Sequence, residues 1–102
     1  MEEVKVLGTE NNVLTIALSG DIDLGNAENF YTETLAAYQT APGDITFDCK
    51  ELNFIDSTTL GTFVKILKNL KANGHTIRLM NLQAKIKKLF LICSLDKIME
   101  IA

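Results

Sequence analysis

The sequence predicts an α/β fold, a mixed β-sheet of four to five strands with helices packed mainly on one face. Three observations lead there. Stretches alternating apolar and polar residues are interleaved with stretches whose apolar residues recur every three or four positions. That order pairs strands in parallel through helical crossovers. The strands alternate even where the order makes them central, as in Ile45-Thr46-Phe47-Asp48-Cys49, whereas a sheet covered on both faces carries near-continuous apolar strands. Finally, 102 residues suffice for one domain, taken as residues 1–102, and are too few for two.

Composition agrees. With 47% hydrophobic residues, 23% charged residues and one proline, the chain can bury a real core and shows no mark of disorder. A net charge of −3 opposes direct nucleic-acid binding, which needs a basic stripe to displace counterions. The basic run Lys85, Lys87 and Lys88 is read as a solvated helix face. Met1-Glu2-Glu3-Val4 opens acidic, unlike a signal peptide. The longest apolar run, Leu89 to Cys93, falls far short of the ~20 residues that span a bilayer. A cytoplasmic protein without membrane insertion is expected. Cys49 and Cys93, with a single histidine, make neither a zinc site nor a disulfide framework; both are expected as buried free thiols.

The elements follow in order. Val4 to Leu7 reads as a short strand, with Gly8 and Asn11-Asn12 as a hairpin turn. In Val13 to Ser19, Leu14, Ile16 and Leu18 point one way and Thr15, Ala17 and Ser19 the other; the strand stops at Gly20-Asp21. A helix follows Asp23-Leu24-Gly25-Asn26, its apolar face made by Ala27, Phe30, Tyr31, Thr34, Leu35 and Tyr38, and Ala41-Pro42-Gly43 ends it. Ile45 to Cys49 is the next strand, and Phe54-Ile55 a brief extended piece. Thr58 to about Ala72 is helical, with Leu60, Phe63, Val64, Leu67 and Leu70 inward and Thr62, Lys65, Lys68 and Asn69 outward. Asn73-Gly74 stops it. His75 to Met80 forms a strand, Asn81 caps a last helix packing through Leu82, Ile86, Leu89 and Phe90, and an apolar strip from Ile98 to Ile101 closes the chain.

The informative stretch is Asn53-Phe54-Ile55-Asp56-Ser57-Thr58-Thr59-Leu60-Gly61, an acid and three consecutive hydroxyls where a strand hands over to a helix. Ser57 is suited to capping that helix. The junction also suits a phosphate, because free amides and the positive end of the macrodipole meet there. Phosphorylation would add about −1.5 to −2 charges beside Asp21, Asp23 and Asp56, so its effect would fall on a docking partner.

Asp56-Ser57-Thr58 with Leu60-Gly61, preceded by Phe54-Ile55, resembles the signature of STAS domains, the anti-sigma factor antagonist family. Leu18 to Leu24 is similar to the family's Gly-acid-apolar-Asp turn, and Ile86, Leu89-Phe90 and Leu95-Asp96 match its tail. Together these cover nearly the whole chain. The resemblance implies a STAS-like sheet and a non-enzymatic, monomeric partner switch. The unphosphorylated form would bind an anti-sigma factor serine kinase and release the sigma factor. Phosphorylation of Ser57 would end that binding, and a serine phosphatase would reset it. Asp21, Asp23, Asp56, Thr58, Thr59, Leu60 and Thr62 would form the partner-binding surface. No cofactor or metal of its own is implied, since ATP and magnesium belong to the kinase. Thr59 stands where the family usually has Gly, which puts crowding of a nucleotide-bearing partner and a competing acceptor on the table. Cys93-Ser94 replaces a segment that often contains Gly, affecting a turn.

Other readings are weaker. Within the same fold, the chain could be a STAS scaffold subunit of a stress-signalling complex or of a lipid ABC transporter. A receiver-like domain phosphorylated on Asp48, with Asp21 and Asp23 as its acidic pair, lacks the late strand-end lysine and the continuous apolar strands. Asp21 and Asp23 alone offer a metal no third ligand, and turn-forming carboxylates are the plainer reading. A Ser57–His75 hydrolase site lacks the G-x-S-x-G elbow and would have to bridge a whole helix.

Overall fold

A computed structural model describes all 102 residues. Strands β1 (Val4–Glu10) and β2 (Val13–Ile22) form a hairpin. Helix α1 (Ala27–Thr40), strand β3 (Asp44–Ile55), helix α2 (Ser57–Lys71), strand β4 (Ile77–Met80), helix α3 (Ala84–Ile92), a 3₁₀ turn at Leu95–Lys97 and strand β5 (Glu100–Ile101) follow. The five strands lie in sequence order, β1 antiparallel to β2 and every later pair parallel. Crossovers between successive parallel neighbours follow one hand as a rule, and the three helices share one core through Phe30, Phe63 and Phe90, as the alternating strands require.

The hairpin turns at Asn11 and Asn12 with φ of 54° and 65°, the left-handed pair that matches strand twist. Leu14, Ile16 and Leu18 of β2, Ile45, Phe47 and Cys49 of β3, and Ile77 and Leu79 of β4 are buried beneath the helices. Four phenylalanines join the layers. Phe63 of α2 meets Phe30 of α1, Phe47 of β3 and Phe90 of α3 edge to face, with ring centroids 5.1, 5.3 and 5.3 Å away.

Several expectations are revised. The strand at 45–49 and the extended piece at 54–55 are one twelve-residue strand. Its pairing with β2 slips between Ala17 and Ser19 and again between Gly20 and Asp21, each time placing one extra residue in β3. These bulges change the inward spacing from two to three, so Cys49, Leu52 and Ile55 are buried and strict alternation vanishes after Cys49. β1 and β2 also extend beyond the expected Leu7 and Ser19.

The cap of α2 is Asp56, with Ser57 the first helical residue. Thr62 faces inward, its hydroxyl donating to the Thr58 carbonyl at 2.9 Å. Asn81 does not cap α3: at φ 62° it turns the chain out of β4 and donates to Asp48 Oδ1 at 3.1 Å. Gln83 precedes that helix instead. Leu89 is exposed, as is Cys93. Cys49 is buried, and its loss of water pushes the thiol pKa up to about 12.

Candidate functional site

At the carboxyl ends of β2 and β3 the chain builds a braced junction. Asp56 ends the extended stretch and accepts the Thr59 amide on Oδ1 at 3.0 Å. The Thr59 hydroxyl answers by accepting the Asp56 amide at 3.4 Å, closing a capping box. Oδ2 of Asp56 accepts the Leu24 amide at 2.9 Å, tying the β2–α1 loop to the start of α2. The donation from the Thr59 amide holds the Asp56 carboxyl below the usual carboxylate range; desolvation opposes this, and the Leu24 amide adds to the lowering.

That loop carries its own bracing. Asn26 Oδ1 accepts the Asp23 amide at 2.8 Å, and Asn26 Nδ2 donates to the Asp21 carbonyl at 2.9 Å. Asp23 Oδ1 accepts the Gly25 amide at 2.9 Å, so Asp23 forms the expected turn. Asp21 stays exposed. No cluster of three potential metal ligands occurs in the structure.

Because Asp56 fulfils the capping role, the Ser57 side chain has no duty in the fold. It is exposed at the first helical position, where amide groups have no earlier carbonyl of the helix to pair with. Thr58 beside it is exposed too. Between α1 and α2 runs an open groove of about 400 Å³, lined by Leu24, Glu28, Tyr31, Thr58, Thr62 and Lys65 among others. Lys65 Nζ lies 4.4 Å from the centre of the Tyr31 ring.

The expected partner-binding residues therefore divide. Asp21 and Thr58 are exposed, and Asp23 and Asp56 are half-buried in the loop bracing. Leu60 and Thr62 are buried, though Thr62 contributes to the groove wall. Thr59 has 0% exposure, and its hydroxyl also contacts the Ile22 carbonyl. In this conformation it presents neither a crowding surface nor an accessible acceptor; its branched side chain is part of the brace.

Four residues outside the expected partner-binding set are also at the site. Leu24 is 76% exposed although fully apolar. Tyr31 and Lys65 shape the groove. Gly61 sits one turn after Ser57, exposed, and a Cβ built on it would meet nothing within 4 Å. A glycine inside a helical pattern was an available signal for Gly61.

The alternative sites do not assemble. Asp48 lies mid-strand, bonded to the Lys50 amide and Asn81. Its register partner is Ala17, four residues and roughly 13 Å along β2 from Asp21. His75 follows the opposite end of α2 and pairs with the Tyr38 hydroxyl at 2.5 Å.

Comparison with known proteins adds to this geometry. A STAS domain model matches residues 5–102. The anti-sigma-B factor antagonist of Bacillus subtilis is 31% identical over 99 residues, covering 97% of this chain and 89% of that one. The crystal structure of a putative anti-sigma factor antagonist from Thermotoga maritima superposes with a TM-score of 0.82 at 22% identity, over 96% of this chain and 82% of that one. The Bacillus cell fate determinant SpoIIAA in its phosphorylated form gives 0.74 at 23% identity, over 97% and 90%. No helix is long and apolar enough to cross a membrane.

Proposed function

This chain belongs to the STAS domain family, and on that premise we propose that it is an anti-sigma factor antagonist switched at Ser57. In its unmodified form it binds an anti-sigma factor that is also a serine kinase, so that the sigma factor is released. The groove between α1 and α2, with exposed Leu24 at its mouth, receives that partner.

The observation that carries the reading is the exposed Ser57 hydroxyl at the first position of α2, freed from capping by Asp56. A kinase can reach it without unfolding anything. Asp56 already engages the amides of Thr58 and Thr59, so the phosphate would lie by the Ser57 amide and the positive end of the helix macrodipole. It would bring about −1.5 to −2 charges to a rim that already carries Asp21, Asp23 and Glu28. Repulsion and the cost of desolvating a dianion then fall on the partner, and the complex separates. A serine phosphatase restores the binding form.

The test is a pulldown with ATP, followed by phosphate mapping. Ser57→Ala should bind the kinase and remain unmodified, and Ser57→Asp should bind more weakly. Wild-type affinity in Ser57→Asp would exclude charge repulsion as the switch. Recovery of a transporter ATPase, or of a stress-signalling assembly without a kinase, would move the protein to a scaffold role within the same family.

A further inference from the structure

The outer face of α3 and the 3₁₀ turn after it reverse the character of the molecule. The chain carries a net charge of −3, yet residues 84–99 hold four lysines, Lys85, Lys87, Lys88 and Lys97, against the single Asp96. Asp96 is itself 4.0 Å from Lys97. The same segment holds four of the eight large apolar side chains that the molecule exposes: Leu89, Leu91 at 46%, Ile92 at 67% and Ile98. At 100° per residue, Ile86 and Phe90 point to the core, so Lys88, Leu91 and Ile92 form the outward crest, with Lys85 and Lys87 beside it.

We propose that this face is a peripheral docking surface for an anionic lipid membrane. Lysines flanking exposed Leu and Ile on a short amphipathic element match a layer that is negatively charged outside and apolar beneath. The stems of the lysines can lie along the apolar boundary while their ammonium groups reach phosphate. A second copy of this chain is a poor occupant, because an isologous contact would bring like charges together. A protein knob is also less suited: none of the clefts in the molecule is lined by α3 residues, and protein hot spots seat in pockets.

Geometry allows this docking to coexist with the proposed switch. The crossovers run α1, α2, α3 across the sheet, so α3 flanks α2 on the side away from the α1–α2 groove. Gln83 at the start of α3 bonds Asn53 near the end of β3, and the helix then runs down toward the opposite edge. Its apolar Leu91 and Ile92 therefore lie remote from Ser57, which a bound membrane would leave uncovered. The inference does not depend on the sigma-factor reading.

The chain has no tryptophan, so Ile92→Trp gives one reporter on the crest. With phosphatidylglycerol vesicles, its emission should shift to the blue and the protein should pellet with them. Neither should happen with phosphatidylcholine vesicles, and added salt should weaken the effect. In a sedimentation assay, Leu91→Ser combined with Ile92→Ser should reduce vesicle affinity about tenfold. An unchanged circular dichroism spectrum and melting temperature would show that the fold survives. Equal binding to both lipids, no response to phosphatidylglycerol, or undiminished binding by the double variant would overturn the proposal. So would a photo-crosslinker at position 92 that captures a cytosolic acidic protein while vesicles are ignored.

Discussion

Replacing Thr59 by Val removes one hydroxyl and almost nothing else. Both side chains are β-branched and nearly equal in size, so the volume at this fully buried position is kept. The loss falls on three contacts: the Ile22 carbonyl, Asp56 Oδ1 at 3.0 Å, and the Asp56 amide at 3.4 Å. A hydroxyl has one proton, so it serves one acceptor at a time, and the buried Ile22 carbonyl is the acceptor with least access to water. Leaving such a group unpaired costs about 1–3 kcal/mol. With a domain of this size melting roughly 4–8 °C lower per kcal/mol, Thr59→Val should lose about 5–20 °C. Thr59→Ser keeps the hydroxyl and should retain most of that stability. Urea unfolding and thermal melts followed by circular dichroism would measure both. A Val variant melting within about 2 °C of wild type would refute the brace; so would a Ser variant falling as far as Val.

The other perturbations are smaller or simpler. Asp56 has its pKa lowered in the fold, so its stabilisation is present above the unfolded carboxylate value of about 3.9 and lost as pH falls through the folded value. Wild type should therefore melt above Asp56→Asn at pH 7, and the gap should close in acid. Ser57→Ala should change stability by no more than about 0.5 kcal/mol, because the side chain is exposed and the cap lies elsewhere; a larger loss by urea titration would return the capping role to Ser57. Gly43→Ala would set a Cβ 2.0 Å from the Asn12 carbonyl oxygen, so calorimetry should show destabilisation of about 1–3 kcal/mol. A thiol reagent should modify exposed Cys93 quickly in the folded protein and buried Cys49 only in denaturant.

The layer arrangement was legible because periodicity reports burial directly. Alternation in β2 and the three-to-four spacing in α1 named the face that is buried, and alternating strands implied one open sheet face; in α2 the spacing found Leu60, Phe63, Leu67 and Leu70 but left out Ile66 and turned Thr62 outward. What the sequence concealed were changes of period. The bulges in β3 made Cys49, Leu52 and Ile55 inward at intervals of three, a pattern that is neither strand nor helix to a reader of periods. Capping was misplaced by one residue because Asp and Ser are nearly equal as caps, and only the reciprocal contact with Thr59 decides between them. Thr59 itself looked like a surface hydroxyl. Its burial depends on the Ile22 carbonyl from a strand 37 positions away, which no local pattern encodes. Leu24 was assigned to a turn without comment; its exposure is visible only once the loop is pinned to Asp56.

The economy of the junction supports a surface shaped for something outside the chain. Gly61 lies in the helix interior with open space where a Cβ would stand, and a helical glycine costs roughly 0.8–1 kcal/mol relative to alanine. Nothing in the fold recovers that cost. Leu24 likewise exposes an apolar side chain on a loop held rigid by Asp56 and Asn26, an arrangement that offers no gain to an isolated domain. Ser57 and Gly61, one turn apart, share a helix face. A partner backbone approaching Gly61 would pass directly over the Ser57 hydroxyl, close enough for a phosphate there to obstruct it. The brace through Thr59 and Asp56 then has a clear consequence: it fixes the loop and the helix start without using Ser57, so a phosphate placed on Ser57, as the proposed function requires, would change the surface while the domain beneath stays folded.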